Sequence, residues 1–245
     1  MFRNPNETLN LPRLRGHPGY VELTVPGLDH DRNLKRMVSK QDRFSRSTVA
    51  SGRGLNPGYA HKNRNSLSLV DDPDVARISG TIESYITAGL ASILETLQEP
   101  MFRVGKTSSS CVCFRDGSYF RPHIDVLKHR AGKRRLTWVY YLNSEPKRFS
   151  GGDLLLDRPD MNPMLLEPAH GKIVVFPSAI SHEVTPVRLS PDDFADARFS
   201  ITGFIGDQPT RAALLKDYLR RLRARFRRRR KTRRAKRHQP AAMTV

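Results

Sequence analysis

The sequence predicts an α+β fold: a double-stranded β-helix (jelly roll) core, N-terminal helices packed outside it, and a basic C-terminal helix and tail. Residues 101–205 break into short β-rich runs separated by Gly, Pro and Asp, which is typical of a sandwich or barrel. Two separate runs carry candidate metal ligands, His123 with Asp125 and then His182, which favours the jelly roll among these architectures. An amphipathic helix upstream supplies an apolar stripe that a sheet would cover.

The length allows one good-sized domain with additions, because 245 residues can bury a substantial core. We divide the chain into three parts. Residues 1–105 form a helical and loop region that supports the core, residues 106–207 form the β-helix domain, and residues 208–245 form the basic helix and tail. No internal repeat is visible.

The N-terminal region predicts two short elements and a long loop. Residues 1–20 are rich in Asn, Pro, Arg and Gly and are expected to be poorly ordered. Residues 21–25 alternate enough for a short strand, and residues 29–40 favour a short helix. Residues 45–66 contain glycines, a proline and many polar residues, which predicts a loop.

A stronger helix begins at Asp72-Pro73, where an acidic residue and a proline suit the first turn. Its apolar residues recur mostly at spacings of three and four, with an interruption expected near Gly89. They are Val75, Ile78, Ile82, Tyr85, Ile86, Leu90, Ile93, Leu94 and Leu97. This stripe predicts that one face of the helix packs on a sheet.

Six runs in the β domain are predicted strands because they combine β-branched, aromatic and aliphatic residues between turn signals. They are residues 110–114, 136–142, 153–156, 172–176, 182–187 and 199–205.

The cysteines and the amino terminus bear on the compartment. Cys111 and Cys113 share one face of a strand and cannot easily bond to each other there, so buried free thiols in a reducing compartment are expected. A CxC metal pair is the alternative, although no further cysteine completes a zinc site. The chain lacks an apolar leader and any run of about 18 apolar residues, so we expect a soluble cytoplasmic protein.

The positive charge is concentrated in one segment. Of the total +19, residues 211–238 contribute +14, because they hold 15 Lys or Arg and one acid. Leu215, Leu219, Leu222 and Phe226 give this segment one apolar stripe at helical spacing. The first half of this helix is expected to dock on the domain.

The run that follows is almost entirely basic. Nine of the eleven residues 227–237 are Lys or Arg, and self-repulsion predicts disorder when the run is unbound. It could attract nucleic acid, a ribosome or an anionic membrane surface, or it could be an incidental solubilising tail. No aromatic residue follows Phe226, which argues against base stacking within the run.

The HxD pair and the distant histidine form a candidate metal face. Residues two apart on a strand point to the same side, so His123 and Asp125 can face a common centre. With His182 they match the two-histidine, one-carboxylate set that holds non-haem Fe(II) and leaves positions open for a bidentate co-substrate and O2. Arg198 would supply a cationic fork for the far carboxylate of such a co-substrate.

HxD alone is weak evidence in a chain with eight histidines, but here it stands in an ordered series of motifs. They are FRDGSYFRPH (114–123), RRLTWVYYLN (134–143), GGDL (151–154), PAHGKIVVFPS (168–178), HEVTPV (182–187) and RFSITG (198–203). The series resembles the 2-oxoglutarate- and Fe(II)-dependent dioxygenases, nearest the prolyl 4-hydroxylase branch. The resemblance covers about residues 108–206, with fainter similarity around Arg64-Asn65-Ser66.

The resemblance assigns roles to individual residues. His123, Asp125 and His182 match the iron ligands, and Arg198 matches the residue that pairs with the distal carboxylate of 2-oxoglutarate. No catalytic residue beyond the metal ligands is implied.

Four further positions are implied less directly. Ser200 could add a hydrogen bond to the distal carboxylate, and Tyr141 matches a position whose phenol often reaches the co-substrate. Phe114 stands near a place where many members carry another tyrosine, so one hydroxyl donor is missing here. Arg134 matches a frequent arginine near the mouth of the site, where it could contact substrate.

The residues themselves leave alternatives open. A nearby acid, Asp192, Asp193 or Asp196, could capture Arg198 instead. Tyr141 could be an ordinary core tyrosine, and Arg134 could be a solvated residue or a loop anchor.

The remaining histidines lack spaced partners. His17, His61 and His129 are therefore expected to be incidental, and His170, which precedes Gly171 in a turn, is expected to be exposed.

The implied reaction couples hydroxylation of an unactivated C–H bond to conversion of 2-oxoglutarate and O2 into succinate and CO2, with ascorbate as reductant. Related halogenases have a small residue where Asp125 stands, so its carboxylate favours hydroxylation. The expected substrate is a prolyl or similar residue of a peptide, or a small molecule. Two alternatives stay open: a nucleic-acid-directed oxidative demethylase and a non-catalytic β-helix binding module.

Overall fold

The computed structural model describes residues 15–48, 50–51, 54–55, 62–126, 132–216 and 218–220. The strands in these residues are β1 (Arg15–His17), β2 (Tyr20–Leu23), β3 (Ser45–Arg46), β4 (Ala50–Ser51), β5 (Gly54–Leu55), β6 (Arg64–Asn65), β7 (Leu67–Leu69), β8 (Val104–Phe114), β9 (Tyr119–His123), β10 (Arg134–Leu142), β11 (Phe149–Gly151), β12 (Leu154–Asp157), β13 (Met164–Leu166), β14 (Ile173–Pro177), β15 (Ser181–Val184), β16 (Val187–Leu189) and β17 (Arg198–Asp207). The helices are α1 (His30–Val38), a 3-10 turn (Gln41–Arg43), α2 (Pro73–Ala88) and α3 (Leu90–Thr96). Residues 211–216 and 218–220 are also helical.

Two antiparallel sheets form the core. The larger has the order β1-β2-β14-β10-β17-β8-β7-β3, and the smaller has the order β13-β12-β15-β9-β6. Two further pairs, β11 with β16 and β4 with β5, complete the sheet structure of the described residues. Consecutive strands such as β8 and β9, or β14 and β15, lie in different sheets, so the chain crosses between the layers, which is consistent with the predicted jelly roll.

The long helical segment lies where the apolar stripe predicts. α2 packs on β8 and β17 of the larger sheet and buries Val75, Ile78, Ile82 and Ile86. The expected interruption near Gly89 is confirmed, because α2 ends at Ala88 and α3 begins at Leu90.

Asp72 fixes the start of α2. Its buried carboxylate accepts hydrogen bonds from the backbone nitrogens of Asp74 (2.9 Å) and Val75 (3.2 Å), as an N-cap does. It also pairs with Lys40 at 2.7 Å and with Arg43, so the segment after α1 is tied to the start of α2.

The prediction that residues 45–66 form only a loop is wrong. β3 pairs with β7 at the edge of the larger sheet, and β6 pairs with β9 at the edge of the smaller one. Strands of two residues are too short to show an alternating pattern, so the sequence does not reveal them. Here the backbone hydrogen bonds of existing sheet edges select the strand conformation.

The expected docking of the C-terminal helix is also wrong. Leu215 is 59% exposed and Leu219 is 45% exposed. In the larger sheet α1 contacts β10 and α2 contacts β8 and β17, so other helices already pack on these strands. The predicted disordered run at 227–237 and most of the lead-in lie outside the described residues.

The prediction that His170 is exposed is wrong as well, because α1 folds over its turn. The side chain of His170 is only 6% exposed, its Nδ1 accepts a hydrogen bond from the backbone nitrogen of Asn143 (3.1 Å), and the His30 ring packs edge-on at 5.8 Å.

Cys111 and Cys113 are buried and unbonded, as predicted. Burial raises the pKa of both thiols well above the ordinary value, so neither is a ready thiolate. Neither belongs to a metal-capable cluster in the described part of the chain, which leaves the CxC metal pair without support. No described helix is long and apolar enough to cross a bilayer.

Candidate metal and co-substrate site

Strand register brings the three predicted metal ligands together. β9 and β15 are antiparallel neighbours in the smaller sheet, and His123 and His182 stand directly opposite each other in that pair. Asp125 follows two residues later, where its backbone nitrogen donates to the carbonyl of Ser178 at 3.0 Å. The ligand atoms of the three residues all lie within 4.8 Å of one another, which is close enough for one metal ion to contact all three.

Backbone carbonyls set the tautomer of both histidines. His123 Nδ1 lies 2.8 Å from the carbonyl oxygen of Arg121, and His182 Nδ1 lies 2.9 Å from that of Ile180. Nδ1 of each ring can therefore donate to a backbone carbonyl, and each Nε2 is directed toward Asp125, at 3.8 Å and 3.2 Å. Burial, with the neighbouring His182, lowers the pKa of His123 to about 4, so this ring is an unprotonated ligand at neutral pH.

The carboxylate of Asp125 is held by a short chain of hydroxyls. Thr137 Oγ1 donates to Asp125 Oδ2 at 2.9 Å and lies 2.9 Å from Ser178 Oγ, which can donate to it in turn. Burial alone would raise the pKa of Asp125, but the interactions with His182, His123 and Thr137 outweigh it and lower that pKa to about 2. The group is therefore a fixed anion throughout the physiological range.

This donor set fits a first-row divalent metal. It offers two imidazole nitrogens and one ionised carboxylate, the combination that binds non-haem Fe(II) with open coordination positions. Aromatic rings fix the ligands sterically: Phe120 stacks on His123 at 3.5 Å, and Phe176 meets His182 edge-on at 4.8 Å.

Arg198 is the most deeply buried cation near the triad. It opens β17, is only 2% exposed, and donates from Nε to the carbonyl oxygen of Gly152 at 2.7 Å. Its guanidinium lies over the rings of Phe114 (4.7 Å) and Tyr141 (5.0 Å), and one Nη is 3.5 Å from Ser200 Oγ. Among the described residues no carboxylate lies within 4.0 Å of it.

The alternative that a nearby acid captures Arg198 is wrong for Asp192. That carboxylate pairs with Arg115 at 2.8 Å, and Asp116 donates to it from its backbone nitrogen at 3.3 Å. Asp193 instead accepts a hydrogen bond from the backbone of Ala195.

The pocket beside the triad is therefore shaped for an anion. Arg198, Tyr141 and Ser200 line a cavity that is also lined by the candidate metal ligands His123, Asp125 and His182. A buried guanidinium without a counter-ion is costly, and burial lowers its pKa. Tyr141 Oη is buried and has no hydrogen-bond partner in the part of the chain that the structure describes, although the ring itself packs in the core. The buried Arg198 cation and the unsatisfied Tyr141 hydroxyl together favour the binding of a carboxylate.

Gly152 is a site residue that the motif contains but residue chemistry does not reveal. Its φ is +69°, and a Cβ there would lie 2.6 Å from Arg198 Cδ. Only glycine lets the backbone carbonyl approach close enough to orient the Arg198 side chain.

Arg64 was not among the predicted site residues, and only the faint Arg64-Asn65-Ser66 similarity pointed to it. Pairing of β6 with β9 places its guanidinium over Phe120 at 4.6 Å, and its Nε donates to Ser66 Oγ at 2.7 Å. It lines the cavity, where burial lowers its pKa to about 10. The sequence does not place Arg64 in the site because its contact with Phe120 depends on β6, an edge strand that the sequence does not reveal.

Arg134 lies at the mouth of the cavity. Its guanidinium carbon sits 3.4 Å from the centre of the Phe204 ring, and one Nη is 3.5 Å from the carbonyl oxygen of Asp125. Together with Arg64 and Ile124 it lines the opening. This placement is compatible with either a substrate contact or an anchor for the mouth.

Comparison with known proteins agrees with this geometry. Residues 109–206 match the model of the 2OG-Fe(II) oxygenase superfamily. The matched segment contains His123, Asp125, His182 and Arg198.

Curated relatives extend the similarity. An uncharacterized PKHD-type hydroxylase of Synechocystis sp. is 25% identical over 209 residues, which cover 82% of this chain and 65% of the relative. A PKHD-type hydroxylase of Maricaulis maris is 34% identical over 74 residues, covering 30% of this chain and 33% of the relative. The chain thus aligns with less than two thirds of the length of either relative.

Solved structures show the same fold. A prolyl hydroxylase of Trichoplax adhaerens, in complex with a peptide fragment of the hypoxia inducible factor oxygen degradation domain, superposes with a TM-score of 0.59 at 19% identity, covering 78% of this chain and 84% of that one. A prolyl-4-hydroxylase of Pseudomonas putida gives a TM-score of 0.53 at 21% identity, with coverage of 78% and 93%.

Thr137 provides a test of the metal site that does not depend on activity. We expect Thr137→Val to weaken metal binding by about 10–100-fold, because the Asp125 carboxylate loses the hydroxyl that orients it. Thr137→Ser keeps the hydroxyl and should stay near wild type. Titration with Co(II), followed by its visible absorption, measures both affinities. Unchanged affinity in Thr137→Val would show that the hydroxyl chain does not support the ligand.

Proposed function

We propose that the chain is a 2-oxoglutarate- and Fe(II)-dependent dioxygenase that hydroxylates an unactivated C–H bond, with residues 106–207 carrying the chemistry. His123, Asp125 and His182 would hold the iron, and Arg198 would bind the distal carboxylate of 2-oxoglutarate. The observation that carries the proposal is the burial of Arg198, without a carboxylate partner among the described residues, in the same cavity as the triad.

The bound iron would supply the oxidising chemistry, by which 2-oxoglutarate and O2 become succinate and CO2 as one oxygen atom enters the substrate C–H bond. The protein's task is positioning. Arg198 clamps one end of the co-substrate, with Tyr141 and Ser200 as further hydrogen-bond donors. Phe114 packs on the guanidinium instead of adding a hydroxyl, and it helps exclude water from the charged contact.

Hydroxylation is favoured over halogenation because Asp125 occupies its position as an ionised carboxylate held by Thr137, which leaves no vacancy for a halide ligand. A vestigial binding module is disfavoured by the same observations. In a site that binds no ligand, a buried guanidinium without a carboxylate among the described residues would cost free energy that nothing offsets.

The residues at the opening of the cavity are expected to determine which substrate binds. The solved neighbours with this fold include prolyl hydroxylases, which supports a prolyl-type substrate in a peptide. A small molecule is the other class of substrate that the sequence leaves open. Arg64, Arg134 and Phe204 line the opening and would contact the substrate. Nothing in the described residues favours nucleic acid as the substrate.

Succinate formation tests this proposal directly. With Fe(II), 2-oxoglutarate and ascorbate under air, we expect slow turnover of 2-oxoglutarate without any primary substrate. Asp125→Ala should abolish it, because one of three metal ligands is lost. Absence of both turnover and Fe(II)-dependent 2-oxoglutarate binding in the wild type would contradict the proposed function.

Tyr141 offers a sharper test with a matched control on the adjacent residue. Tyr141→Phe should raise KM for 2-oxoglutarate about tenfold, because a hydrogen bond to a carboxylate is lost. It should not lower the thermal stability of the ligand-free protein, since Tyr141 Oη has no partner in the described residues.

Tyr140→Phe should lower the stability of the protein without changing KM for 2-oxoglutarate. Tyr140 faces the other side of β10, where its hydroxyl lies 2.7 Å from His30 Nδ1. We expect a loss of stability of about 1 kcal/mol and an unchanged KM. Equal effects of the two substitutions on KM would exclude a direct role for Tyr141.

A further inference from the structure

The helix that follows β17 presents an apolar face to solvent. Leu214, Leu215, Tyr218 and Leu219 are 45–59% exposed. On a helix of 3.6 residues per turn they fall within an arc of about 140°. Single exposed apolar residues are common, but four large ones on one face form a contiguous patch of the kind that marks an interaction surface.

The sequence pairs this patch with a strong positive charge. Leu222 and Phe226, outside the described residues, repeat the same helical spacing, so the pattern of the apolar face continues along the sequence. Lys216 and Arg220 stand on the opposite side of the helix. Residues 227–237 then add nine Lys or Arg in eleven positions.

The combination of these features selects one kind of partner. A nucleic acid would use the cations but leave the apolar face in water. A second copy of the chain would bury the face, but it would bring together two segments of about 15 cations each, which repel. An anionic bilayer satisfies both, because headgroups attract the cations while the interface buries the apolar side chains.

We propose that the C-terminal helix docks on an anionic lipid bilayer, lying in the plane of the interface with Leu214, Leu215, Tyr218 and Leu219 facing the acyl chains. This is peripheral attachment, not a membrane crossing. The helix starts seven residues after Phe204, so a docked helix keeps the mouth of the cavity within about 25 Å of the lipid. The inference does not depend on the proposed enzymatic function.

The test is co-sedimentation of the full chain with vesicles of phosphatidylcholine alone and of phosphatidylcholine mixed with phosphatidylglycerol. We expect the wild type to bind only the anionic vesicles. The double variant Leu215→Gln/Leu219→Gln keeps every charge, and its affinity should fall at least about tenfold as apolar burial is lost. Both side chains are exposed, so the fold should survive.

Val70→Gln/Leu165→Gln is the matched control, because those side chains are 56% and 60% exposed elsewhere on the domain. It should bind as the wild type does.

Four results would overturn the proposal. The wild type could fail to bind anionic vesicles, or the helix double variant could bind them as tightly as the wild type, which would make the segment a simple polycation. Alternatively, light scattering could show a wild-type dimer that is absent in the double variant, which would assign the face to contact between copies.

Binding to single-stranded RNA, measured in parallel, should not change in Leu215→Gln/Leu219→Gln. A loss of RNA binding equal to the loss of vesicle binding would favour nucleic acid as the partner.

Discussion

The structure of the site depends on a charge placed where water cannot solvate it. Arg198 is buried between two aromatic rings, anchored by one backbone carbonyl, and without a carboxylate of its own among the described residues. In a low-dielectric cavity the desolvation of such a charge costs free energy, and a bound anion offsets that cost. The same cavity is lined by the three proposed metal ligands, so an anion that satisfies Arg198 would also reach a metal bound there. One molecule with a carboxylate at each end meets both requirements.

The fold supplies this arrangement through strand register. Arg198 lies opposite Phe114 in the pairing of β17 with β8, and His182 lies opposite His123 in the pairing of β15 with β9. The cation and the metal ligands therefore belong to different sheets, and the cavity is the space between the layers. Gly152 completes the cation site, because the close approach of its carbonyl to Arg198 leaves no room for a side chain.

The sequence predicts this site well because the determining patterns are local. HxD places one ligand at the end of a strand and the other two residues beyond it, and the Gly89 break and the Asp72 cap are read from neighbouring residues. The features that the sequence does not predict have a different cause in common. The strands at 45–66, the burial of His170 and the site position of Arg64 all depend on pairing or packing with segments distant in sequence, which residue pattern alone does not encode.

The central claim is that Arg198 makes the cavity selective for a distal carboxylate. The direct measurement is anaerobic binding of 2-oxoglutarate and of 2-oxobutyrate, which lacks that carboxylate, to the Fe(II)-loaded protein. We predict at least about 30-fold tighter binding of 2-oxoglutarate to the wild type, because a buried charge pair contributes 2 kcal/mol or more, and we predict that most of this preference is lost in Arg198→Met. Equal affinity of the wild type for the two acids would contradict the account.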